Sequence, residues 1–526
     1  MLTDPSRNHD PRDRGGRHLA ASAPRTTAVN PIAIIGGGVA GLACGCYLQM
    51  NGYQTEILET NKVVGGLCAA WDRGPYVFDG CLRWLVGTHP SSTLHQVWNE
   101  LGAIAGRQIV NRDEFLRVEG ANGEVLSLTA DLDQFAQDCR RIAPEDAARI
   151  DRLVSAARRC APLDPPLQKP LELMTGLEKM KLLLPYLPML PVIVKWKKVE
   201  VAAYLAAYRN RFLREALLAV AGDPRVSALV LVMVLAFRSR RNTGYVAGGS
   251  RAFAEAIADR YTRLSGLLRY NAQVVSVIVA QDHAIGVRCA DGTVLSAATV
   301  ISCADGHTTI FRMLEGRYVN QQILDTYRNG DIFPGLIQAS LGINRTFPEA
   351  PQALSLPLGR PLLVDDVTRH DRLEVAVVGA ESGLCPAGKS VMTVRLPSRY
   401  EYWANLKNHH AGDYEKAKQG LLEQIIGILD RRFAGVAREV ECTDLATPAT
   451  FARFTGNWQG SYQGWLPTPR NVGRLLPRAL PGLKDFYMAG HWVQPGGGLP
   501  WAALSGRHVA QMICARDGRV FTATEA

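Results

Sequence analysis

Pro31-Ile-Ala-Ile-Ile-Gly-Gly-Gly-Val-Ala-Gly-Leu42, followed by Glu59, is the stretch that decides the reading of this 526-residue chain. Residues 32–35 are a short apolar run with β character. Gly36, Gly38 and Gly41 then form G-x-G-x-x-G, residues 40–49 read as a helix, and residues 55–59 read as a second strand ending in an acid. Each glycine has a physical task. Gly36 permits the tight strand-to-helix turn, Gly38 lets backbone approach a pyrophosphate, and Gly41 lets the helix pack close to the sheet. The amides that open the helix, with Val39 and Ala40 among them, face the phosphates together with the positive end of the helix dipole. Glu59 is placed to accept hydrogen bonds from a ribose 2′-OH. Strand, glycines, helix, strand and acid in this order indicate a dinucleotide site rather than a glycine-rich turn without a ligand.

Glu59 favours a free ribose hydroxyl over a 2′-phosphate, which argues against NADP and leaves NAD and FAD. Val64-Gly65-Gly66-Leu67 follows the acid closely. A second glycine pair so near reads as another backbone segment against the same ligand, which fits the longer FAD. With these residues in place, a resemblance becomes specific. Residues 36–41, Glu59, Gly65-Gly66 and Tyr76-Val-Phe-Asp-Gly80 resemble the opening of the FAD-dependent superfamily of phytoene desaturases, carotenoid isomerases and retinol saturases. Phe486-Tyr-Met-Ala-Gly490-His-Trp-Val-Gln-Pro-Gly-Gly-Gly498-Leu-Pro-Trp-Ala-Ala-Leu-Ser-Gly506 resembles that family's closing flavin motif. The resemblance runs over most of the chain after residue 30 and is strongest at the two ends. Leu67 departs from it, standing where many members carry Arg.

The resemblance implies a flavin amine oxidase-like fold of α/β class. An FAD-binding, Rossmann-like (doubly wound) domain would carry an inserted mixed α+β substrate domain. The expected division is a disordered tail at 1–28, an FAD-binding domain made of 29–100, 240–330 and 480–526, and a substrate-binding, membrane-facing domain made of 101–239 and 331–479. Gly490, Gly498, Leu499 and Pro500 would approach the flavin, and the strand near Val275 would supply backbone contacts to the adenine. The activity implied is FAD-dependent redox chemistry at C–C double bonds of a long apolar isoprenoid, carotenoid-like or related lipid, by desaturation, saturation or cis–trans isomerisation. Two rivals share the architecture: a soluble flavin amine oxidase, and a non-catalytic lipid or prenyl binder like the GDP-dissociation inhibitors. The intact glycine and acid set argues against the binder.

At 47% hydrophobic and 21% charged residues, the chain can bury a large core, and its length allows two or more domains. The net charge of +10 is compatible with nucleic acid, an anionic membrane or acidic substrates. No nucleic-acid module is visible and the basic residues are not gathered in one tail, so a membrane surface is the expected partner. The 11 cysteines form no C-x-x-C and no Cys/His cluster with zinc spacing, so neither a disulfide framework nor a metal site is expected. Cys44 and Cys46 read as core residues. Reduced thiols point to a cytoplasmic location, peripherally associated with the membrane. Residues 1–28 lack an apolar h-region and do not read as a secretory signal.

Along the chain, residues 82–89 lead into a helix-rich stretch, and residues 133–157 read as a solvated helix pair. Residues 182–194 are uncharged, too short to span a bilayer, and carry Pro185, Pro188 and Pro191 at a spacing that predicts a polyproline-type face. Lys179 and Lys181 precede the run, Lys195, Lys197 and Lys198 follow it, and Tyr186 and Trp196 edge it. The pattern fits a segment lying in a membrane interface, or else a buried loop of the substrate domain. Residues 226–237 read as a buried helix, and Gly248-Gly249 opens another at 251–264. Strands are expected at 274–279, 284–289, 294–297 and 300–302, with a turn at Asp291-Gly292, then at 336–343, 373–378 and 391–396. Residues 414–433 read as an amphipathic helix. Residues 451–465 read as an Ω-loop or as an aromatic wall over the flavin.

Residues 486–489 enter Gly490 as a strand, and a helix is expected from Pro500. Its amides would stabilise negative charge developing on the flavin's N1–C2=O edge. No second nucleotide fingerprint appears, so an external electron acceptor or donor is implied unless the reaction is redox-neutral. His491, as acid/base, and Arg83 are the candidate catalytic side chains. Each reads more readily as structural.

Overall fold

The computed structural model describes residues 30–524, and the tail expected at 1–28 lies outside the described residues. Its first layer is a five-stranded parallel sheet ordered Leu267–Arg269, Thr55–Leu58, Ile32–Ile35, Thr299–Ser302 and Phe486–Met488. The strand Ile32–Ile35 is central and buried on both faces, which is why it reads as a continuous apolar run. Alternation divides its side chains between two cores. Ile32 and Ile34 join the helices Val39–Met50, Gly249–Arg263 and Gly498–Arg516 on one face. Ala33 and Ile35 face the other side, where the antiparallel strands Val274–Ala280, His283–Cys289 and Val294–Ser296 form the cover. All four strands expected between 274 and 302 are present, and the last returns to pair with Ile32–Ile35.

A second, seven-stranded sheet is ordered Val440–Ala446, Gly335–Ile343, Ser390–Ser398, Arg369–Gly379, Ala353–Leu363, Glu114–Glu119 and Val125–Thr129. Three of these strands were expected. Glu114–Glu119 and Val125–Thr129 fall instead in the stretch read as helix-rich. They pair with each other as an antiparallel hairpin across Asn122-Gly123, a turn signal that the reading passed over, and Glu114–Glu119 pairs on its other edge with Ala353–Leu363, more than two hundred residues away. Beside this sheet pack the helices Leu132–Ile142, Ala147–Cys160, Arg211–Ala221 and Ala228–Ser239.

Two local expectations are corrected. Residues 182–194 do not form a polyproline face. They belong to short helical turns, Gly176–Leu183, Leu184–Tyr186 and Leu190–Trp196. Pro185 and Pro191 sit in the first turns of the last two, where a missing N–H costs nothing. Residues 451–465 are not one loop, because Phe451 to Thr455 complete the helix Pro448–Thr455 capped by Thr447.

The first and last helices touch backbone to backbone. A Cβ on Gly506 would stand 2.6 Å from the Ala40 carbonyl oxygen and 2.8 Å from the Cys44 nitrogen. Gly506→Ala is therefore expected to lower stability by about 1–3 kcal/mol through overpacking, read from urea unfolding. A variant as stable as the parent would show that the helices can part freely.

Candidate active site

The carboxyl ends of the parallel strands open onto one cavity of about 1060 Å³. Gly36 follows Ile32–Ile35, Glu59 follows Thr55–Leu58, Cys303 to Asp305 follow Thr299–Ser302 and Gly490 lies just past Phe486–Met488, and all of them line it. This is the position at which open α/β sheets bind ligands. Gly37 donates its N–H to Glu59 Oε2 at 2.8 Å. Asn61 donates to Glu59 Oε1 through its backbone at 2.8 Å and its side chain at 2.9 Å. The carboxylate is thus fixed on one side while each oxygen keeps acceptor capacity toward the cavity. Gly65 donates to the Gly37 carbonyl at 2.9 Å and bridges Gly38, which brings the second glycine pair onto the first.

The glycines are not equivalent. Gly41 does not line the cavity; its Cβ would collide with the Gly36 carbonyl and touch Ile34 Cγ2, so its task is helix–sheet packing. A Cβ on Gly38 meets only the Gly65 carbonyl, at 3.8 Å, so the space before it is open to a ligand rather than filled by protein. That open cradle, with an enclosed acid at its far end, fits FAD. Gly36, Gly38, Val39 and Ala40 would hold its pyrophosphate, Glu59 a ribose, and Gly490, Gly498, Leu499 and Pro500 the flavin end. The closing helix starts at Gly498, two residues before the expected Pro500, because positive φ at Gly497 and Gly498 turns the chain directly into it. Gln463 props this turn by donating Nε2 to the Gly496 carbonyl at 2.7 Å.

Gly66 and Leu67 also line the cavity, as do Arg83 and His491. Val275 does not. Its side chain points away and is 41% exposed, while Gln273 and Val274 take the lining position. His491 is held by Asn457, whose Oδ1 accepts from Trp492 Nε1 at 2.8 Å and meets His491 Nε2 at 3.1 Å. The indole is a donor only, so this atom is oxygen and His491 carries its proton on Nε2. Burial pushes the imidazole down to about 4, which keeps it neutral at physiological pH. It orders the closing loop, as do the buried Trp465 and Trp492, whose rings meet edge to face at 5.4 Å.

Beyond the cradle the cavity continues between the two sheets and the helix Ala228–Ser239. Its walls there are Phe115, Leu116, Ile193, Leu229, Val230, Met233, Val234 and Phe237. Polar side chains interrupt them, among them the cluster Arg83, Glu374, Arg395 and Tyr462. Burial raises the Glu374 carboxyl, against the opposing pull of Arg83, Arg395 and Arg372. Burial also lowers the Arg83 guanidinium to about 9. Sequence reasoning missed Glu374. The available signal was an acid in the run Leu373-Glu-Val-Ala-Val-Val378, otherwise apolar on both faces.

The profile of the family described as flavin containing amine oxidoreductase matches residues 39–514. The chain is 23% identical over 523 residues to the chloroplastic prolycopene isomerase of Arabidopsis thaliana, across 92% of this chain and 82% of that one. It is 23% identical over 521 residues to the neurosporene-forming phytoene desaturase of Rhodobacter capsulatus, across 93% and 94% of the two chains. The solved cyclohexylamine oxidase of Brevibacterium oxydans superposes with a TM-score of 0.58 at 14% identity, covering 93% of this chain and 100% of that chain. The chain belongs to the flavin-containing amine oxidoreductase family; it is a flavoprotein oxidoreductase and its cofactor is FAD.

Because the Gly38 Cβ position is free of protein, Gly38→Val should fold and yet lose most of its FAD. Flavin absorbance per folded protein measures this, with circular dichroism reporting the fold. Full occupancy in the variant would contradict the pyrophosphate assignment.

Proposed function

We propose that this flavoprotein acts on C–C double bonds of a long apolar isoprenoid or carotenoid-like lipid, taken from a membrane surface. The observation that carries this reading is the continuity of the FAD cradle with an apolar chamber. The prolycopene isomerase and phytoene desaturase relatives support the same substrate class. In this reading 29–100, 240–330 and 480–526 serve the cofactor, while 101–239 and 331–479 serve the substrate. FAD, when bound, supplies a two-electron acceptor or donor. The chain's own part is to exclude water with the apolar walls and to lay the substrate along the flavin end. Glu374 Oε is the carboxylate positioned in the chamber to hold or release a proton. An amine substrate fits less well, because Arg83 and Arg395 stand beside Glu374 in the lining and repel an ammonium.

The membrane face is assigned to residues 171–199. Leu177, Met180, Leu183, Leu184, Leu187 and Val194 are between 47% and 60% exposed, and the helix Gly176–Leu183 buries none of its residues. Lys179, Lys181, Lys195 and Lys198 are exposed around them. This pairing of leucines and lysines matches an anionic lipid surface. Tyr186 and Trp196 are not the edge anchors expected. Trp196 is buried against Tyr204, and Tyr186 donates to the Asp164 carbonyl at 2.6 Å. Ile193 faces the chamber while Val194 faces outward, so this segment joins the two. Among the described residues, no helix is long and apolar enough to cross a membrane.

Anaerobic incubation of the FAD-loaded protein with polyenes, followed by mass analysis, tests the reaction. Loss of two hydrogens identifies a desaturase, gain of two a saturase, and unchanged mass with shifted retention an isomerase. Peroxide formed from amines, with polyenes untouched, would overturn the proposal. Replacing Leu183, Leu184 and Leu187 together with Asp should abolish co-sedimentation with anionic vesicles while FAD content holds. Undiminished sedimentation would remove the membrane assignment.

A further inference from the structure

Among the apolar walls of the chamber, Arg83 is the polar side chain whose partners do not suffice. Its backbone is fixed. Asp79 Oδ1 accepts from the Cys81 and Leu82 amides at 2.8 and 2.9 Å, and Gln352 Nε2 donates to the Arg83 carbonyl at 3.1 Å. Its guanidinium is not fixed. Nη1 lies 3.8 Å from Glu374 Oε2, a loose pair, and Nε and Nη2 are enclosed without any acceptor in the protein.

The other two arginines around Glu374 differ. Arg395 donates to Gln338 Oε1 at 2.9 Å and to the Asp79 carbonyl at 3.2 Å. Arg372 donates to Ser355 Oγ at 2.9 Å and to the Glu119 carbonyl at 2.6 Å. Both are tied to the scaffold; Arg372 also keeps an unbonded Nη1, 3.7 Å from Glu215 Oε2, but it does not line the cavity, so of the cavity-lining pair it is Arg83 that has donors left over. Enclosed donors without acceptors are costly, more so on a charged group. In the cavity lining this cluster sets two guanidiniums, Arg83 and Arg395, against one carboxylate, Glu374, while Arg372 behind them has Glu215 as its own partner; the excess of positive charge is one that a hydrocarbon cannot answer. Arg83 lines the cavity and keeps 23% of its side-chain surface open, so a ligand meeting Nε and Nη2 requires the guanidinium to turn. The planar fork matches two coplanar oxygens.

We propose that Arg83 anchors a terminal carboxylate, so that the natural substrate is a long apolar chain with an anionic head rather than a plain hydrocarbon. This rests on the apolar-substrate reading above and adds its head group. Arg83 orients the chain by its end, and Glu374 competes with the head for the same guanidinium. No bond is made or broken at this contact. Its effect is to set which double bond of the chain lies against the flavin end of the cavity.

The test is equilibrium binding to the FAD-loaded protein, read by quenching of tryptophan emission, with Trp84 in the chamber wall as reporter. The probes are all-trans-retinoate and the hydrocarbon of the same skeleton ending in methyl. The parent should bind retinoate roughly tenfold or more tighter than the hydrocarbon. Arg83→Met should bring the two within about twofold of each other while leaving hydrocarbon affinity in place. Glu374→Gln, which removes the competing charge, should tighten retinoate binding. Flavin absorbance verifies that each variant is folded, and if Arg83→Met fails that check the Glu374→Gln arm decides. A parent without preference, a preference that survives Arg83→Met, or weaker retinoate binding in Glu374→Gln overturns the anchor. Hydrocarbon binding without preference removes the anchor alone. Failure of both probes to bind removes the apolar-substrate reading as well.

Discussion

Everything in this molecule depends on how closely its first and last helices approach. Gly41 lets Val39–Met50 press on the strand that precedes it, and Gly506 lets Gly498–Arg516 press on Val39–Met50 at Ala40 and Cys44. Side chains at either glycine would push a backbone away. Because the contact is this tight, the beginnings of both helices open on one cavity, with Ala40 beside Gly490 and Gly498 nearby. Two amide-rich helix starts would then serve the two ends of one long cofactor. The closing helix is also tied to the distant substrate region. Arg507 and Gln511 donate to the Leu167 carbonyl, and Arg478 pairs with Glu172 and contacts His508. The segment that carries the exposed leucines therefore starts from a point fixed on the flavin side.

The cofactor half of the site was legible because its logic is local. A turn, a helix start and an acid lie within thirty residues, and the glycines are required by backbone geometry at each position. The chamber was not legible, because its walls come from residues around 83, 115, 193, 230, 374 and 462, which are adjacent only after two sheets form. Where the reading slipped, the causes are specific. The strand near Val275 does reach the lining, through Gln273 and Val274, while the Val275 side chain itself is turned outward. The proline spacing at 185, 188 and 191 was compatible with an extended face, yet first-turn prolines suit short helices equally well. Trp196 had the composition of an interfacial anchor, but the core beside Tyr204 claimed it.

The chamber combines two demands that usually conflict. Its walls exclude water, which raises the cost of any unpaired charge, and yet it contains Arg83, Arg395 and Glu374. Arg395 offsets that cost through the scaffold. Arg83 and Glu374 do so only in part, through each other, and both are displaced from their ordinary ionisation by burial. A site retains such groups when a ligand completes them. The same region connects outward through Ile193 to the leucine and lysine face, so binding of an apolar chain and the proposed docking on a lipid surface would share one structural element.

The central claim is that one cavity holds FAD and an apolar substrate end to end. A crystal structure of the FAD-loaded protein with a bound polyene tests it most directly. The account predicts the adenosine ribose at Glu59, the flavin ring beside Gly490 and Gly498, and the polyene running from that ring past Arg83 and Glu374 toward Ile193. A polyene found on the outer surface, or separated from the flavin by ordered protein, would contradict it.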